Sequence, residues 1–328
     1  MKIRLFQQPK TMKGATVGKL PDWIGNFPFP PDKKKPIVVT RSQTKQFIYP
    51  DKPENSDFNW NYASTDKFFI AQYQLSPGVQ FLPADVHTGD EVYYVVEGTL
   101  TMFNPATGEV HQVEENEGFF IPLGGWHQGY NFTNKQTRMF LIIAPKIWPP
   151  KGLPEEGFPG ETQIFSFNRQ LNPNPQTNPL PLLESPRTPD LVGRWPIAGP
   201  QARKEPVNSM LISEKDKLSV IWGEEYPVLL KFLVSNDLVH MAEFFLPSGG
   251  LSPRCSEAHS HRGDEATYVC EGDLCVFFPD TNDALEVRPQ EVIFIPEGVK
   301  HQYINYSDQV VKAVGGCAGD VIPISTLS

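Results

Sequence analysis

Four side chains near the C-terminal end of the chain have the types and spacing of metal ligands: His259, His261, Glu265 and His301. Residues two apart on a β-strand face the same side, so the imidazoles of His259 and His261 are predicted to point into one cavity. Glu265 follows a short turn at 262–264, and a strand after that turn can return its carboxylate to the same cavity. Three neutral imidazoles and one carboxylate form a mixed nitrogen and oxygen site for Fe, Mn, Ni, Co, Cu or Zn. Such a set leaves room for water or a substrate, as a catalytic metal requires.

The pattern around these residues occurs twice in the chain. Segment 87–100 (HTGDEVYYVVEGTL) matches 261–274 (HRGDEATYVCEGDL), and 119–131 (FFIPLGGWHQGYN) matches 293–305 (IFIPEGVKHQYIN). One offset of 174 residues (261 minus 87) relates the matched positions without insertion or deletion. Five of the seven histidines occupy motif positions, which counts against reading them as ordinary histidines near a turn. The chain is therefore predicted to be a duplicated domain.

The first copy has a related but different set of candidate ligands: Asp85, His87, Glu91 and His127. Asp85 occupies the position of His259. If Asp85 binds the metal, the site has two histidines and two carboxylates and is harder and more negative. If Asp85 turns away, His87, Glu91 and His127 still form a two-histidine, one-carboxylate triad of the kind that holds non-haem iron. A decayed site kept for packing is the third alternative, so the sequence leaves open a weaker metal site and an empty one.

Strand alternation places further side chains beside the two clusters. Tyr303 lies two residues beyond His301 and is predicted to face inward, where its hydroxyl would bond a substrate or a ligand carboxylate. The alternative role for Tyr303 is to fill the barrel. The same alternation predicts inward-facing side chains beside the two glutamates at Thr267, Val269 and Tyr93.

Other residues have less specific patterns. Apolar side chains are expected to surround the second cluster and to suit an aromatic or diketone-like substrate. They are Phe277, Phe278, Phe294 and Val269. His240, in the predicted strand DLVHMAEF, either supports the cluster or is simply packed, and His111, in a polar hairpin, is expected to be solvated. None of the four cysteines has an activating neighbour in the sequence, so none is given a catalytic role.

The elements that must position these residues are predicted to be strands. The chain of 328 residues contains 33 prolines, which argue against long helices because proline lacks the amide donor. Runs such as VYYVVEG and ATYVCEG are rich in β-branched and aromatic residues and end in glycine. We predict an all-β protein. The predicted segments are an N-terminal arm at 1–58, a first domain at 59–147, a proline-rich linker at 148–215 and a second domain at 216–328.

Charge and hydropathy exclude some classes of partner. The net charge of −9 counts against nucleic acid, whose phosphates would be repelled. No run of about 18 apolar residues is present, so no membrane span is predicted. The four cysteines form no CxxC pair, and reduced thiols in a cytoplasmic protein are the simplest interpretation.

The second copy contains HxH-x3-E-x6-G followed by PxGxxH-x3-N, which resembles the two signature motifs of the cupin superfamily; two copies make the chain similar to the bicupins. The glycine that usually opens the second motif is absent, with Asn116 in the first copy and Gln290 in the second. The resemblance implies one double-stranded β-helix (jelly-roll) barrel for each copy, with the metal ligands pointing into the barrel. It extends over both barrels but not over the arm or the linker.

A bicupin with three histidines and one glutamate resembles the flavonol-cleaving dioxygenases, and gentisate-type bicupins are looser relatives because they lack the glutamate. This resemblance implies Fe(II) and O₂, a small aromatic or enol or diketone-like substrate, and Glu265 and Tyr303 as candidate catalytic residues. A sugar isomerase, a decarboxylase and a non-catalytic bicupin that binds a small molecule are the alternatives. A monomer with an internal pseudo-twofold axis and a homodimer are both compatible with the sequence.

Overall fold

The structure of the chain is a computed structural model that describes residues 22–49, 57–80, 87, 89–104, 107–145, 191–196, 209–222, 228–252 and 259–319. Within these ranges the chain forms β-strands and one short 3-10 helix at Arg41–Gln43. The strands of the first half are β1 (Ile37–Val39), β2 (Lys45–Tyr49), β3 (Asp57–Ser64), β4 (Phe69–Leu75), β5 (Asp90–Glu97), β6 (Leu100–Asn104), β7 (Glu109–Val113), β8 (Gly118–Ile121), β9 (Gln128–Tyr130) and β10 (Thr137–Ala144). Those of the second half are β11 (Met210–Ile212), β12 (Leu218–Trp222), β13 (Val228–Ser235), β14 (Val239–Leu246), β15 (Leu251–Ser252), β16 (Glu265–Glu271), β17 (Leu274–Phe278), β18 (Asp283–Val287), β19 (Val292–Ile295), β20 (Gln302–Ile304) and β21 (Val311–Ala318).

The strands form two antiparallel barrels, so the predicted all-β fold of two double-stranded β-helix barrels is confirmed. In the first barrel a seven-stranded sheet, β11-β8-β5-β10-β4-β3-β2, faces a three-stranded sheet, β7-β6-β9. In the second barrel a seven-stranded sheet, β1-β19-β16-β21-β14-β13-β12, faces a four-stranded sheet, β15-β20-β17-β18. Among the residues with described structure, no helix has the length and hydropathy of a membrane span.

The two halves of the chain exchange their leading strands. Strand β1 pairs with β19 of the second barrel, with Ile37 opposite Phe294. Strand β11 pairs with β8 of the first barrel, with Met210 opposite Phe120. These two strands lie in the segments predicted as arm and linker, whose exact limits stay a prediction.

The duplication extends further than the matched motifs. Phe27 pairs through both backbone groups with Ser64, and Trp195 pairs in the same way with Ser235. The hydroxyls of the two serines accept corresponding bonds from Gly25 N at 3.0 Å and from the amide of residue 193 at 2.7 Å. The segments at 22–30 and 191–196 therefore make equivalent contacts with a serine in the two halves.

Strand alternation divides the apolar residues among two barrel interiors and one interface between the barrels. On β5, Tyr93 belongs to the interior of the first barrel, whereas Tyr94 belongs to the interface. On β19, Ile293 and Ile295 belong to the interior of the second barrel, whereas Phe294 belongs to the interface. Because both faces of the central strands are buried, they read as nearly continuous apolar runs in the sequence.

Two of the four apolar residues expected around the second cluster lie elsewhere. Phe294 packs against Phe68 of the first half, with ring centroids 6.2 Å apart. Phe277 alternates with buried neighbours on β17 and lies outside the barrel's core cluster. Phe278 and Val269 do belong to the interior of the second barrel. The expectation was wrong for Phe294 and Phe277 because it used aromatic composition and ignored which face of each strand lies inside.

The two departures from the signature glycine occur where each barrel touches the other. Asn116 and Gln290 have φ of 68° and 72°, the region for which glycine is otherwise favoured. The side-chain oxygen of Asn116 accepts bonds from Tyr94 at 2.9 Å and from Lys312 of the other half at 2.6 Å. The carbonyl of Gln290 accepts a bond from Tyr62 of the first half at 3.0 Å. The bonds from Lys312 and Tyr62 cross the interface between the barrels.

Candidate metal centre

The second barrel brings four side chains to one place at the mouth between β16 and β20: His259, His261, Glu265 and His301. One ligand atom from each lies within 4.8 Å of the others. Glu265 is the first residue of β16, and His301 immediately precedes β20. His259 is held beside His301 by a backbone bond of 3.0 Å, which places their ring centroids 4.2 Å apart. The three imidazoles and the one carboxylate expected from the motif spacing thus lie together in the structure.

The hydrogen bonds of the imidazoles show which ring nitrogen is available to a metal. His261 Nδ1 donates to the carbonyl of Gly263 at 3.1 Å, and His301 Nδ1 donates to the carbonyl of Val299 at 3.0 Å. Both Nε2 atoms then face Glu265 Oε2, that of His261 at 2.6 Å and that of His301 at 3.2 Å. His301 Nε2 is buried and has no hydrogen-bond partner among the described residues. Imidazole nitrogens and a carboxylate oxygen this close need a positive charge between them, which a proton on His261 supplies here. A divalent metal would replace that proton, and the nitrogen and oxygen donors fit such a metal.

The electrostatics of the cluster agree with this fit. Although burial acts in the opposite direction, His301 and His261 hold the pKa of Glu265 well below its usual range. Burial lowers the pKa of His259 to about 3, so this imidazole is neutral at neutral pH. Burial lowers the pKa of His261, but the charge of and hydrogen bond to Glu265 act against it and hold this pKa above its usual value. Since burial raises the pKa of Cys317 to about 11, its sulfur is a neutral thiol, and Glu265 is the group that holds this proton. A bound metal would replace the proton on His261.

A phenol and a hydroxyl fix the orientation of the Glu265 carboxylate. Tyr303 donates a short hydrogen bond to Glu265 Oε1, and Thr267 donates to the same oxygen at 3.0 Å. The ring of Phe244 stacks on Tyr303, with centroids 5.2 Å apart. Burial, followed by the charge of Glu265, raises the pKa of Tyr303 well above its usual value, so the phenol stays protonated. One oxygen of Glu265 is thereby bonded to Tyr303 and Thr267, and the other faces the imidazoles.

The turn between His261 and Glu265 depends on a glycine. Gly263 has φ of +89°, and a Cβ at this position would lie 1.8 Å from the carbonyl oxygen of Ala318. We expect Gly263→Ala to cost about 1–2 kcal/mol for the conformation alone, with a further cost from the clash, and to displace both ligands that flank the turn. Urea unfolding and metal content per chain measure the two effects.

The matched control is Gly249→Ala, since Gly249 has φ of +71° and no described atom within 4 Å of the added Cβ. This variant should show the conformational cost alone and keep its metal. Equal metal content in the two variants would contradict the assigned role of Gly263.

In the first barrel His87, Glu91 and His127 also come together, with ligand atoms within 4.8 Å of one another. Glu91 Oε2 lies 3.6 Å from His87 Nε2 and 3.0 Å from His127 Nε2. His127 Nδ1 donates to the carbonyl of Gly125 at 3.2 Å, as its counterpart His301 does in the second barrel. Asp85 lies outside the described residues, so the choice between its two alternative roles stays open.

The two barrels supply a phenol to the ligand glutamate from different strands. In the first barrel Tyr93 makes a side-chain hydrogen bond to Glu91, and the position that corresponds to Tyr303 is Gly129. In the second barrel Tyr303 contacts the glutamate, and the position that corresponds to Tyr93 is Thr267. A large residue on one strand is therefore matched by a small one on the other. The same space is filled in both barrels, and the carboxylate has a phenol partner in each.

Two side chains near the second cluster were missed by the sequence reasoning. Cys317, on β21 opposite Glu265, places its sulfur 4.0 Å from His261 Nε2. Trp222, at the end of β12 and 43% exposed, meets the ring of His259 edge-on at 5.3 Å. Neither belongs to the repeated motifs, and only the strand pairing brings them to the site. The described cysteines, Cys270, Cys275 and Cys317, are free thiols.

The remaining histidines are packed. The ring of His111 lies 5.3 Å from that of Phe119, and burial lowers its pKa, so the expectation of a solvated side chain was wrong. His240 is buried, and its Nδ1 is 2.9 Å from the hydroxyl of Ser235. Of its two alternative roles, packing is the one that these contacts support.

His240 should make the stability of the fold depend on pH. Burial lowers its pKa from 6.5 to about 4. Between these values the unfolded chain binds a proton that the folded chain does not, so the stabilisation is complete above pH 6.5 and is lost as the pH falls towards 4. The shift corresponds to about 3 kcal/mol. Between pH 6.5 and pH 4 the free energy of unfolding should therefore fall by about 3 kcal/mol less in His240→Gln than in the parent protein. Urea unfolding at a series of pH values measures this difference. The same pH slope in both proteins would rule out this contribution.

Two β-barrels in one chain, each with a buried cluster of histidine and glutamate, define a two-barrel protein with a candidate metal centre in each half. A family model described as a Cupin domain matches residues 72–143 and again 243–315. The chain belongs to the cupin superfamily and is a bicupin, so the predicted resemblance is confirmed at this level. No curated protein sequence matches the chain at a significant level.

Solved structures with a similar fold include several other proteins. A mutant of oxalate decarboxylase OxdC from Bacillus subtilis aligns with a TM-score of 0.54 and 14% identity, covering 90% of this chain and 81% of that chain. Protein Ylba from E. coli gives 0.54 and 12%, covering 88% and 94%. AerE from Microcystis aeruginosa gives 0.52 and 11%, covering 84% and 98%. At these identities the likeness shows a shared fold alone.

Proposed function

We propose that the chain is a metal-dependent enzyme whose second barrel binds a divalent transition metal, with Fe(II) as the first candidate. The proposed ligands are His259, His261, Glu265 and His301. The observation that carries the proposal is the pair of imidazole Nε2 atoms directed at one carboxylate oxygen of Glu265. The fold of a bicupin and the likeness to an enzyme such as oxalate decarboxylase support the same class.

Within this class we propose an oxygenase that cleaves a small aromatic or an enol or diketone-like molecule with O₂. A metal with an open position supplies Lewis acidity and brings two reactants together. The ionised Glu265 accepts the proton of an acidic substrate hydroxyl, while Tyr303 keeps the carboxylate oriented. Val269 and Phe278 exclude water from the barrel interior. Both oxygen atoms enter the product, so no external reductant is needed.

The second candidate is a non-oxidative enzyme, a decarboxylase or a sugar isomerase. The structural likeness to oxalate decarboxylase is the observation that supports this candidate. At 14% identity the likeness shows a shared fold and not a shared reaction. A bicupin that only binds a small molecule is the third candidate. The reciprocal packing of the two barrels supports a monomer with an internal pseudo-twofold axis, and a homodimer of such chains is the alternative.

The deciding experiment measures metal per chain by mass spectrometry on protein grown without added metal and kept anaerobic. About one Fe per chain, lost in a variant of the second cluster, followed by O₂ uptake over a panel of aromatic and diketone compounds, would support the oxygenase. Manganese or zinc in both barrels, with turnover that needs no O₂, would favour the second candidate. No bound metal even after reconstitution would overturn the proposed mechanism.

Tyr303 offers a test of the proposed support of Glu265. Tyr303→Phe removes one of the two bonds to Glu265 Oε1 and leaves that of Thr267. Changes to such outer partners typically weaken metal affinity about 10–100-fold, and we expect the lower end because one bond remains. Competition with a chelator measures this change at the second site. Tyr93→Phe in the first barrel is the matched control and should leave the second site unaltered. An unchanged affinity in Tyr303→Phe would limit this side chain to filling the barrel.

A further inference from the structure

The turn between two strands of the second barrel contacts the residue that precedes a candidate metal ligand of the first. Asn236 follows β13, and its Nδ2 donates to Asp90 Oδ2 at 2.9 Å. Both residues are buried, with exposures of 1% for Asn236 and 0% for Asp90. Asp90 directly precedes Glu91, the candidate ligand at the start of β5. The bond therefore joins a hairpin of one barrel to the backbone that carries a ligand of the other.

Asp90 also connects the two motifs of its own barrel. Its Oδ1 accepts a bond of 2.9 Å from the amide of Leu123. Leu123 lies in the loop between β8 and β9, and this loop carries His127. One carboxylate thus links the ligand strand, the second motif loop and the opposite hairpin.

The arrangement is reciprocal in the second barrel. Asp264 directly precedes Glu265, and its Oδ1 accepts a bond of 3.0 Å from the amide of Glu297 in the second motif loop. The side chain of Thr65, in the turn between β3 and β4 of the first barrel, hydrogen-bonds to Asp264. From the same turn, Lys67 Nζ lies 3.3 Å from Glu297 Oε2. The hairpin of the first barrel therefore contacts both motifs of the second.

We infer that the hairpin of each barrel positions the metal-ligand glutamate of the other, with Asn236 acting on Glu91 and Thr65 acting on Glu265. The inference rests on the proposed metal binding. Glu265 is the first residue of β16 and Glu91 is the second of β5, so each glutamate lies where pairing to neighbours begins. Its direction therefore depends on how the preceding aspartate is held. A bond to that aspartate from the opposite barrel restricts the direction in which the ligand carboxylate projects. Asn236 and Thr65 are positioning residues in this scheme.

One substitution separates this role from a merely structural one. Asn236 Oδ1 accepts bonds from Leu238 N at 2.9 Å and from Val239 N at 3.0 Å, which close its own turn. In Asn236→Asp a carboxylate oxygen keeps both of these bonds. The donor towards Asp90 is replaced by a second carboxylate, whose like charge weakens the cross-barrel contact while the turn is retained. For the other barrel, Thr65→Ala removes the hydroxyl, and Thr65→Ser restores it.

The experiment measures the Kd for Co²⁺ at each site separately in the full chain. A His261→Ala parent reports on the first site, and a His127→Ala parent reports on the second. We expect Asn236→Asp to raise the Kd of the first site about 10-fold or more and to leave that of the second unchanged. Thr65→Ala should do the reverse, and Thr65→Ser should restore the Kd of the parent. Thermal unfolding of each variant is recorded alongside.

The outcomes distinguish the inference from the proposal beneath it. If neither parent binds Co²⁺, the proposed metal binding fails. If a site binds Co²⁺ and its opposite-hairpin variant keeps the Kd of the parent, the inference is overturned and metal binding stands. If only the second site binds, Thr65→Ala decides alone. An equal loss at both sites from one variant would indicate general weakening of the fold and would also overturn the inference.

Discussion

His261→Ala should remove the metal from the second barrel and abolish any metal-dependent activity. His261 Nε2 approaches Glu265 Oε2 to 2.6 Å, the closest imidazole contact to this carboxylate, and its Nδ1 is already fixed by the backbone. The substitution takes away a directed donor and leaves His259, His301 and Glu265. We expect a loss of affinity greater than the roughly 10–100-fold that follows the loss of an outer partner. Metal content and the Kd for Co²⁺ measure it.

The internal repeat supplies the control for this variant. His87→Ala is the same change at the corresponding position of the first barrel, 174 residues earlier. It should leave the metal and the activity of the second barrel intact. Unfolding curves of both variants show whether the fold is retained. Full activity in His261→Ala would end the hypothesis that the second cluster is the active centre.

Glu243→Met should produce the largest loss of stability among single substitutions at the interface between the barrels. The side chain of Glu243 is 2% exposed and forms an ion pair with Lys217, whose side chain is fully buried. Glu243 Oε1 also accepts a bond of 2.6 Å from Tyr94 of the first barrel. Without Glu243, Lys217 keeps the Asn116 carbonyl at 2.6 Å and Glu214 at 2.8 Å, but the side chain of Glu214 is 59% exposed. Breaking a buried pair typically costs about 3–5 kcal/mol, and we expect the lower end because these two partners remain. Urea unfolding measures this change.

The corresponding position in the first half carries a neutral residue and gives a matched comparison. Phe140 and Val314 are 174 residues apart (314 minus 140); Gln72 lies opposite the first and Glu243 lies opposite the second. Gln72 donates to Tyr268 at 3.3 Å, so Gln72→Met should cost about 0.5–1.5 kcal/mol. Adding Lys217→Met to Glu243→Met should recover much of the loss, because neither charge then remains buried. Equal costs for the two single variants would contradict the assigned importance of the ion pair.

The interface is therefore reciprocal in geometry but not in charge. One side joins the barrels through Glu243, Lys217 and Lys312, which lies 3.6 Å from Glu243. The other side joins them through Gln72 and Tyr268. Duplication produced two equivalent positions, and the side chains at those positions have since diverged. The two candidate metal centres differ in the same manner, in the strand from which the phenol comes.

The sequence alone was sufficient to predict the local arrangement of the candidate centre. The repeat offset and the alternation of strand residues predicted which imidazoles and carboxylates come together, since these features depend on neighbours a few residues apart. The same alternation placed Thr267 and Tyr303 beside Glu265, where the structure has them. The sequence also showed that Asn116 and Gln290 replace the signature glycine. It did not show that both residues bond to the opposite barrel.

Only the tertiary structure decided which face of a strand lies inside a barrel and which lies between barrels. Phe294 was misplaced because both faces of β19 are buried, so the apolar pattern contains no signal that separates them. The exchange of β1 and β11, the bond from Asn236 to Asp90 and the approach of Cys317 to His261 join residues far apart in the chain. The alternation of residues along a strand depends only on neighbours a few positions away. These contacts depend on how the two complete barrels pack against each other.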